Sequence, residues 1–176
     1  MCKGKFVFPV FASFLILTAF ASVSAAKTIY VPDDYAKIQW AVDNASAGDT
    51  IIVRDGIYYE SITVRKQLTI KSENGSENCI VNGSWLKVFN LEADGIRIEG
   101  FTITGGYIGI DICSNKNMII NNIITNNGDG IYLSDSNENI ISNNNIRSNN
   151  RYGIYLWYSN NNRYLITTSA QTTGMA

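Results

Sequence analysis

Gly109-Ile110-Asp111-Ile112, Gly130-Ile131-Tyr132-Leu133 and Gly153-Ile154-Tyr155-Leu156 begin three segments spaced 21 and 23 residues apart. Each runs through a Ser-Asn pair (Ser114-Asn115, Ser136-Asn137, Ser159-Asn160) to an Asn three residues past the Ser. The first two copies continue into an apolar pair, an Asn pair, another Ile, and Asn126-Asn127 or Asn149-Asn150 just before the next Gly. Self-similarity at this period marks a solenoid, in which one unit cannot bury its apolar residues alone and must stack on its neighbours. Leucine-rich repeats share the period, but their Leu ladder with a helix in each repeat is missing. Short β-branched runs cut by Asn, Ser and Gly remain, and they specify a parallel β-helix.

Aligning the segments predicts inward-facing columns. One holds Phe89, Ile110, Ile131 and Ile154, and the next Leu91, Ile112, Leu133 and Leu156. A third holds Ile119 and Ile141, and a fourth Ile123 and Ile146. Coils about 4.8 Å apart place like on like, and each buried aliphatic contributes roughly 1.5–3 kcal/mol before entropy is subtracted. Sixteen of the 21 asparagines fall between Asn115 and Asn162. Asn tolerates left-handed backbone angles, and its amide can bond the backbone or the Asn one coil away, so these residues are expected at the corners.

The same alignment defines an outward face. Asn90, Asp111, Tyr132 and Tyr155 share one column, and Glu92, Cys113, Ser134 and Trp157 the next, with Tyr158 beside it. Asn90, Glu92 and Asp111 therefore stand on one side of Tyr132, Tyr155 and Trp157. Aromatic rings next to carboxylates and amides suit sugars, which present apolar C–H faces and hydroxyl edges. These six residues form the candidate carbohydrate site. The alternative is that aromatics favour sheet surfaces and pair across coils, or that they meet further coils.

Upstream, residues 1–26 read as a signal peptide, with an uncleaved membrane anchor as the alternative. Lys3 and Lys5 supply the positive region, an apolar stretch runs from Phe6 to Phe20, and Val23 to Ala26 are small enough for cleavage. Residues 27–48 form an N-terminal capping segment, with Asp33 or Asp34 at the N-cap of a helix of about three turns whose apolar positions are Tyr35, Ile38, Ala41, Val42 and Ala45. Residues 49–166 are the coils, with Asp49 to Val53 as the first strand. Residues 167–176 read as an irregular tail without strand pattern, and an uncovered last coil invites further coils or self-association.

Composition removes several functions. Lys and Arg form no stripe and the chain has a net charge of −1, so a nucleic-acid surface is not expected. Cys79 and Cys113 sit on different columns and are expected as thiols. The chain has no histidine, which takes away imidazole as a metal ligand or general base, and no metal or other cofactor is expected. The sequons at Asn44, Asn74 and Asn82 are possible acceptors on an exported chain.

The segment Ala47-Gly48-Asp49-Thr50-Ile51-Ile52-Val53 followed by Gly56-Ile57-Tyr58-Tyr59-Glu60 resembles the opening of right-handed β-helix proteins of the pectin-lyase-like kind, in which Gly-x-Tyr-x-Glu belongs to the scaffold. The Gly109 to Asn162 repeats resemble the NosD β-helix domain, also described as a carbohydrate-binding and sugar-hydrolase repeat. The resemblance implies an all-β, right-handed, single-stranded parallel β-helix with an N-terminal capping helix, located at the cell surface, secreted or periplasmic. It also offers enzyme readings. Pectin hydrolases use clustered aspartates with Gly-His-Gly, methylesterases an Asp pair with Arg and Gln, and pectate lyases calcium ligands beside an Arg-rich strand. This chain has no His, and its six arginines are scattered. The expectation is a non-catalytic surface module that binds polysaccharide or acts as a scaffold. The alternatives are a fragment of a lyase, esterase or hydrolase and a NosD-like accessory to copper-enzyme maturation.

Overall fold

The computed structural model describes residues 25–165 and 168–170; the expected signal peptide lies almost wholly outside them. Strands stack in parallel into three sheets that wrap one apolar core. The first sheet has seven strands: Thr28–Val31, Thr50–Val53, Thr69–Ser72, Arg97–Glu99, Met118–Ile120, Ile140–Ser142 and Arg163–Leu165. The second has six, Gly56–Tyr59, Cys79–Asn82, Thr102–Thr104, Ile123–Thr125, Asn145–Arg147 and Thr168–Ala170. The third has five, Ile62–Val64, Lys87–Leu91, Ile108–Ile112, Asp129–Ser134 and Ile154–Trp157. The fold is a parallel β-helix, as the repeats imply.

Three of the four expected columns hold. Phe89, Ile110, Ile131 and Ile154 pair in register, as do Leu91, Ile112, Leu133 and Leu156, and Ile119 pairs with Ile141. The fourth is corrected by one residue. Ile146 lies beside the buried Ile124, while Ile123 lies beside Asn145 and faces out, half-buried. A one-residue slip exchanges the faces of a strand, and in Ile123-Ile124 both residues are equally apolar, so their composition does not distinguish the faces.

The corners come from pairs with divided roles. Asn121, Asn126 and Asn143 are exposed and adopt φ of 57°, 56° and 55°, the left-handed turn values. The residue after each, Asn122, Asn127 and Asn144, is buried. Asn144 Oδ1 accepts from Asn122 N–H at 2.9 Å and from Asn122 Nδ2 at 3.1 Å, while Asn144 Nδ2 donates to the Ile119 carbonyl at 2.7 Å. Asn127 and Asn149 repeat the arrangement, as do Asn117, Asn139 and Asn162. One coil earlier, Gly95, Gly100 and Gly105 take the left-handed corners, and the N–H groups of Ile96, Phe101 and Gly106 donate to Asn117, Asn122 and Asn127. The ladders satisfy buried backbone groups that a tight corner would orphan.

At the other end the helix is shorter than expected, Ile38–Asn44, and neither Asp33 nor Asp34 caps it. Asp34 accepts from Tyr30 N–H at 2.7 Å, and Asp33 pairs with Arg54 at 2.6 Å. The cap comes from the next coil. Glu60, the last residue of Gly-x-Tyr-x-Glu, accepts from Ile38 N–H and Gln39 N–H, both at 3.0 Å, and Lys66 Nζ donates to the carbonyls of Val42, Asp43 and Ala45 at the far end. Two further observations concern the segments at either end of the coils. Thr28–Val31, inside the expected capping segment, is already a strand of the first sheet paired with Thr50–Val53. Within the expected irregular tail, Thr168–Ala170 pairs with Asn145–Arg147, because a main-chain ladder needs no apolar side chain. The rest of that tail lies outside the described residues.

Candidate functional site

The third sheet has the longest strands, five or six residues from Lys87 to Ser134 where the repeats of the other two sheets have three, and the groove lies on its outer face. Tyr132 pairs in register with Asp111 on one side and Tyr155 on the other, and Ser134 pairs with Trp157. The rings of Tyr132 and Tyr155 stack, with centroids 5.2 Å apart and planes 18° apart. Tyr152 leans on Tyr155 at 4.9 Å, and Trp157, 47 % exposed, meets Tyr158 edge-on at 5.1 Å.

Around these rings lies an open groove of about 520 Å³ that includes Asp111, Tyr132, Tyr155 and Trp157 from the expected six. Asn90 is on the same sheet, one strand beyond Asp111, and Glu92 follows the end of that strand, but neither lines the groove. Asn90 Nδ2 donates to Glu92 at 2.5 Å, and Arg65 holds the same carboxylate at 2.7 Å. The expected site therefore divides into an aromatic groove and a separate polar cluster.

Sequence reasoning missed Lys87, Tyr107, Asp129, Arg151 and Tyr152, which also line the groove. Lys87 forms an ion pair with the buried Asp111, and that contact raises the lysine above its ordinary pKa. Arg151 pairs with the buried Asp129 at 2.5 Å and lies 4.7 Å over the Tyr107 ring, a cation–π contact. Burial pushes the Asp129 carboxyl above its usual range in spite of that arginine, and among the described residues its Oδ1 has no hydrogen-bond partner. A signal was present in the spacing. Asn127 and Gly130 are three residues apart, whereas Asn149 and Gly153 are four apart. The extra residue fits Tyr152 against Tyr155 while leaving Arg151 beside Asp129.

The arrangement places a stacked tyrosine pair and the exposed Trp157 on the outer side of the sheet, while two buried carboxylates hold two cations in place. Both cations in the groove are paired with these carboxylates.

Comparison with solved structures shows where this fold recurs. An alginate lyase from Paenibacillus sp. str. FPU-7 superposes with a TM-score of 0.71 at 22% identity, over 84% of this chain and 59% of that one. The likeness concerns the fold. A cell surface glycoprotein of Methanothermus fervidus is 38% identical over 96 residues, which is 53% of this chain and 16% of that protein. The chain thus spans about a sixth of that relative's length. The family model for the periplasmic copper-binding protein NosD matches residues 42–172.

The copper in that description does not fit the donors present. Copper prefers imidazole, thiolate or thioether ligands, and the chain has no histidine. Cys79 faces the core, its thiol pushed up to about 12 by burial, whereas Cys113 follows the third sheet and is exposed. Met118 stands on the first sheet, where Arg97 Nη1 approaches its sulfur at 3.8 Å. Among the described residues no three His, Cys, Asp or Glu are grouped to hold a metal. What the match establishes is the lineage of the scaffold: with three quarters of its length covered, this chain belongs to the NosD family of β-helix proteins.

Proposed function

We propose that this chain is a non-catalytic β-helix module of a cell-surface protein, binding polysaccharide along the aromatic groove of its third sheet. The observation that carries the reading is the stack of Tyr132 and Tyr155 with the exposed Trp157 lining the same groove. An exposed Trp in a groove whose cations are already neutralised offers a ring face to apolar C–H surface, while the Lys87 ammonium at its edge is a donor suited to hydroxyl oxygens. The kinship with a cell surface glycoprotein supports the location, and a polysaccharide-degrading enzyme shares the fold.

The test is a glycan-array screen of the wild-type protein, followed by titration of the strongest hit with Trp157→Ala. Loss of this ring should weaken binding by about 1–2 kcal/mol and change the melting temperature little, since surface substitutions usually stay within about 0.5 kcal/mol. Absence of binding to every glycan, or a Trp157→Ala variant that binds as wild type, overturns the reading. Release of unsaturated products from alginate or polygalacturonate would replace it with the lyase reading.

A further inference from the structure

Ser84 and Trp85 adopt φ of 49° and 72° in succession. Left-handed angles are uncommon for Ser and unfavourable for a side chain as bulky as Trp. The turn is held from several sides. Ser84 N–H donates to Asn82 Oδ1 at 2.9 Å, Leu86 N–H to the Gly83 carbonyl at 3.0 Å, and Trp85 N–H to the Gly105 carbonyl of the next coil at 2.7 Å. The ring this turn displays is 81% exposed. Strain of this kind persists only where surrounding structure imposes it, and it concentrates at ligand clamps.

Trp85 and the exposed Tyr59 wall a cleft of about 430 Å³. Its floor is bare main chain at Gly106 and Gly128, and Asn126 and Asn150 line it as well. The floor is bare by necessity: a Cβ on Gly106 would stand 2.7 Å from the Leu86 carbonyl, and one on Gly128 would collide with the Tyr107 carbonyl. Among the described residues no charged side chain lines this cleft. Aromatic walls, an open peptide floor and amides suit a sugar ring, with its apolar face and hydroxyl edges, and offer an anion no cationic partner.

The cleft adjoins the aromatic groove across the corner between the second and third sheets. Gly106, Gly128 and Asn150 line the cleft, and their sequence neighbours Tyr107, Asp129 and Arg151 line the groove. We infer that the Trp85 cleft is a second sugar subsite, and that one glycan chain runs from Tyr155 and Trp157 over the Tyr107–Arg151 ridge to Trp85. This rests on the polysaccharide reading of the groove.

The probes are cellulose, mannan, chitin, alginate and polygalacturonate with short oligosaccharides cut from each, titrated onto full-length protein from a host that does not N-glycosylate, since Asn82 lies in a sequon. Trp85→Gly removes the ring at a position whose backbone angle glycine accepts, so the melting temperature should not fall. Affinity for the intact polysaccharide should fall about tenfold, affinity for short oligosaccharides should not change, and Trp85→Phe should restore most of the loss. Trp157→Ala should weaken both probes. Unchanged polysaccharide affinity in Trp85→Gly, with Trp157→Ala still weakened, overturns the second subsite and leaves the groove reading standing. Equal loss for short and long probes also overturns it, by making the two clefts one site. Failure of the wild-type protein to bind any probe overturns both readings, and leaves the exposed Trp85 and Leu86 to a protein partner.

Discussion

At the scale of single residues, the Asn-Asn pairs carry two physical tasks that composition merges. The first Asn of a pair needs a left-handed backbone and little else. The second needs a buried amide that satisfies one coil and is satisfied by another. That the asparagines form corners was legible in the sequence; which member of each pair turned inward was not, because the residue type is the same and only the accumulated register decides. The distinction is measurable. Asn144→Ala should cost about 2 kcal/mol or more, since it orphans the buried N–H of Asn122 and releases the Ile119 carbonyl. Asn143→Gly should stay within about 0.5 kcal/mol of wild type, because glycine accepts φ of 55° without strain while adding freedom to the unfolded chain. Urea denaturation of both variants checks the pair. Equal costs would show that the amides act only through their backbone angles.

At the scale of elements, the N-terminal helix shows how a motif can be recognised before its work is understood. Asp33-Asp34 ahead of an apolar, helix-spaced run reads locally as a cap, but Tyr30 and Arg54 claim those carboxylates first. The cap arrives from Glu60, more than twenty residues away, a distance at which sequence pattern gives no warning. Gly-x-Tyr-x-Glu is thereby tied to the scaffold: Tyr58 donates to the Arg54 carbonyl at 3.0 Å, and Glu60 closes the helix. Glu60→Ala should destabilise by about 1–2 kcal/mol, the range for losing an N-cap. Thermal unfolding followed at a helix-sensitive wavelength measures it. The groove was legible for a matching reason and incomplete for a matching one. Alternation along each strand revealed Asp111, Tyr132, Tyr155 and Trp157. Lys87 and Arg151 joined through ion pairs between coils and through one extra residue before Gly153, features that alternation does not encode.

At the scale of the whole molecule, stability follows from stacking. Each coil contacts only the coils above and below it, so the total is close to a sum of coil terms and nearest-neighbour interfaces. Ile131 sits fully buried between Ile110 and Ile154, with a neighbour on both sides. Ile154 occupies the same column but is half-buried, and among the described residues the third sheet ends with its strand. Placing a carboxylate at either position asks the core to accept an unpaired charge, and the penalty depends on how much water can reach it. Ile131→Asp should break the stack in its middle, giving protein that fails to fold or melts far below wild type. Ile154→Asp should leave earlier coils intact and loosen only the coil that carries Tyr155 and Trp157. Hydrogen exchange separates these outcomes. In Ile154→Asp, amides of Thr50–Val53 and Thr69–Ser72 should keep wild-type protection while those of Ile154–Trp157 exchange rapidly. Uniform loss of protection along the chain would show that the solenoid unfolds as one unit, so that the aromatic face could not be loosened without losing the fold that presents it.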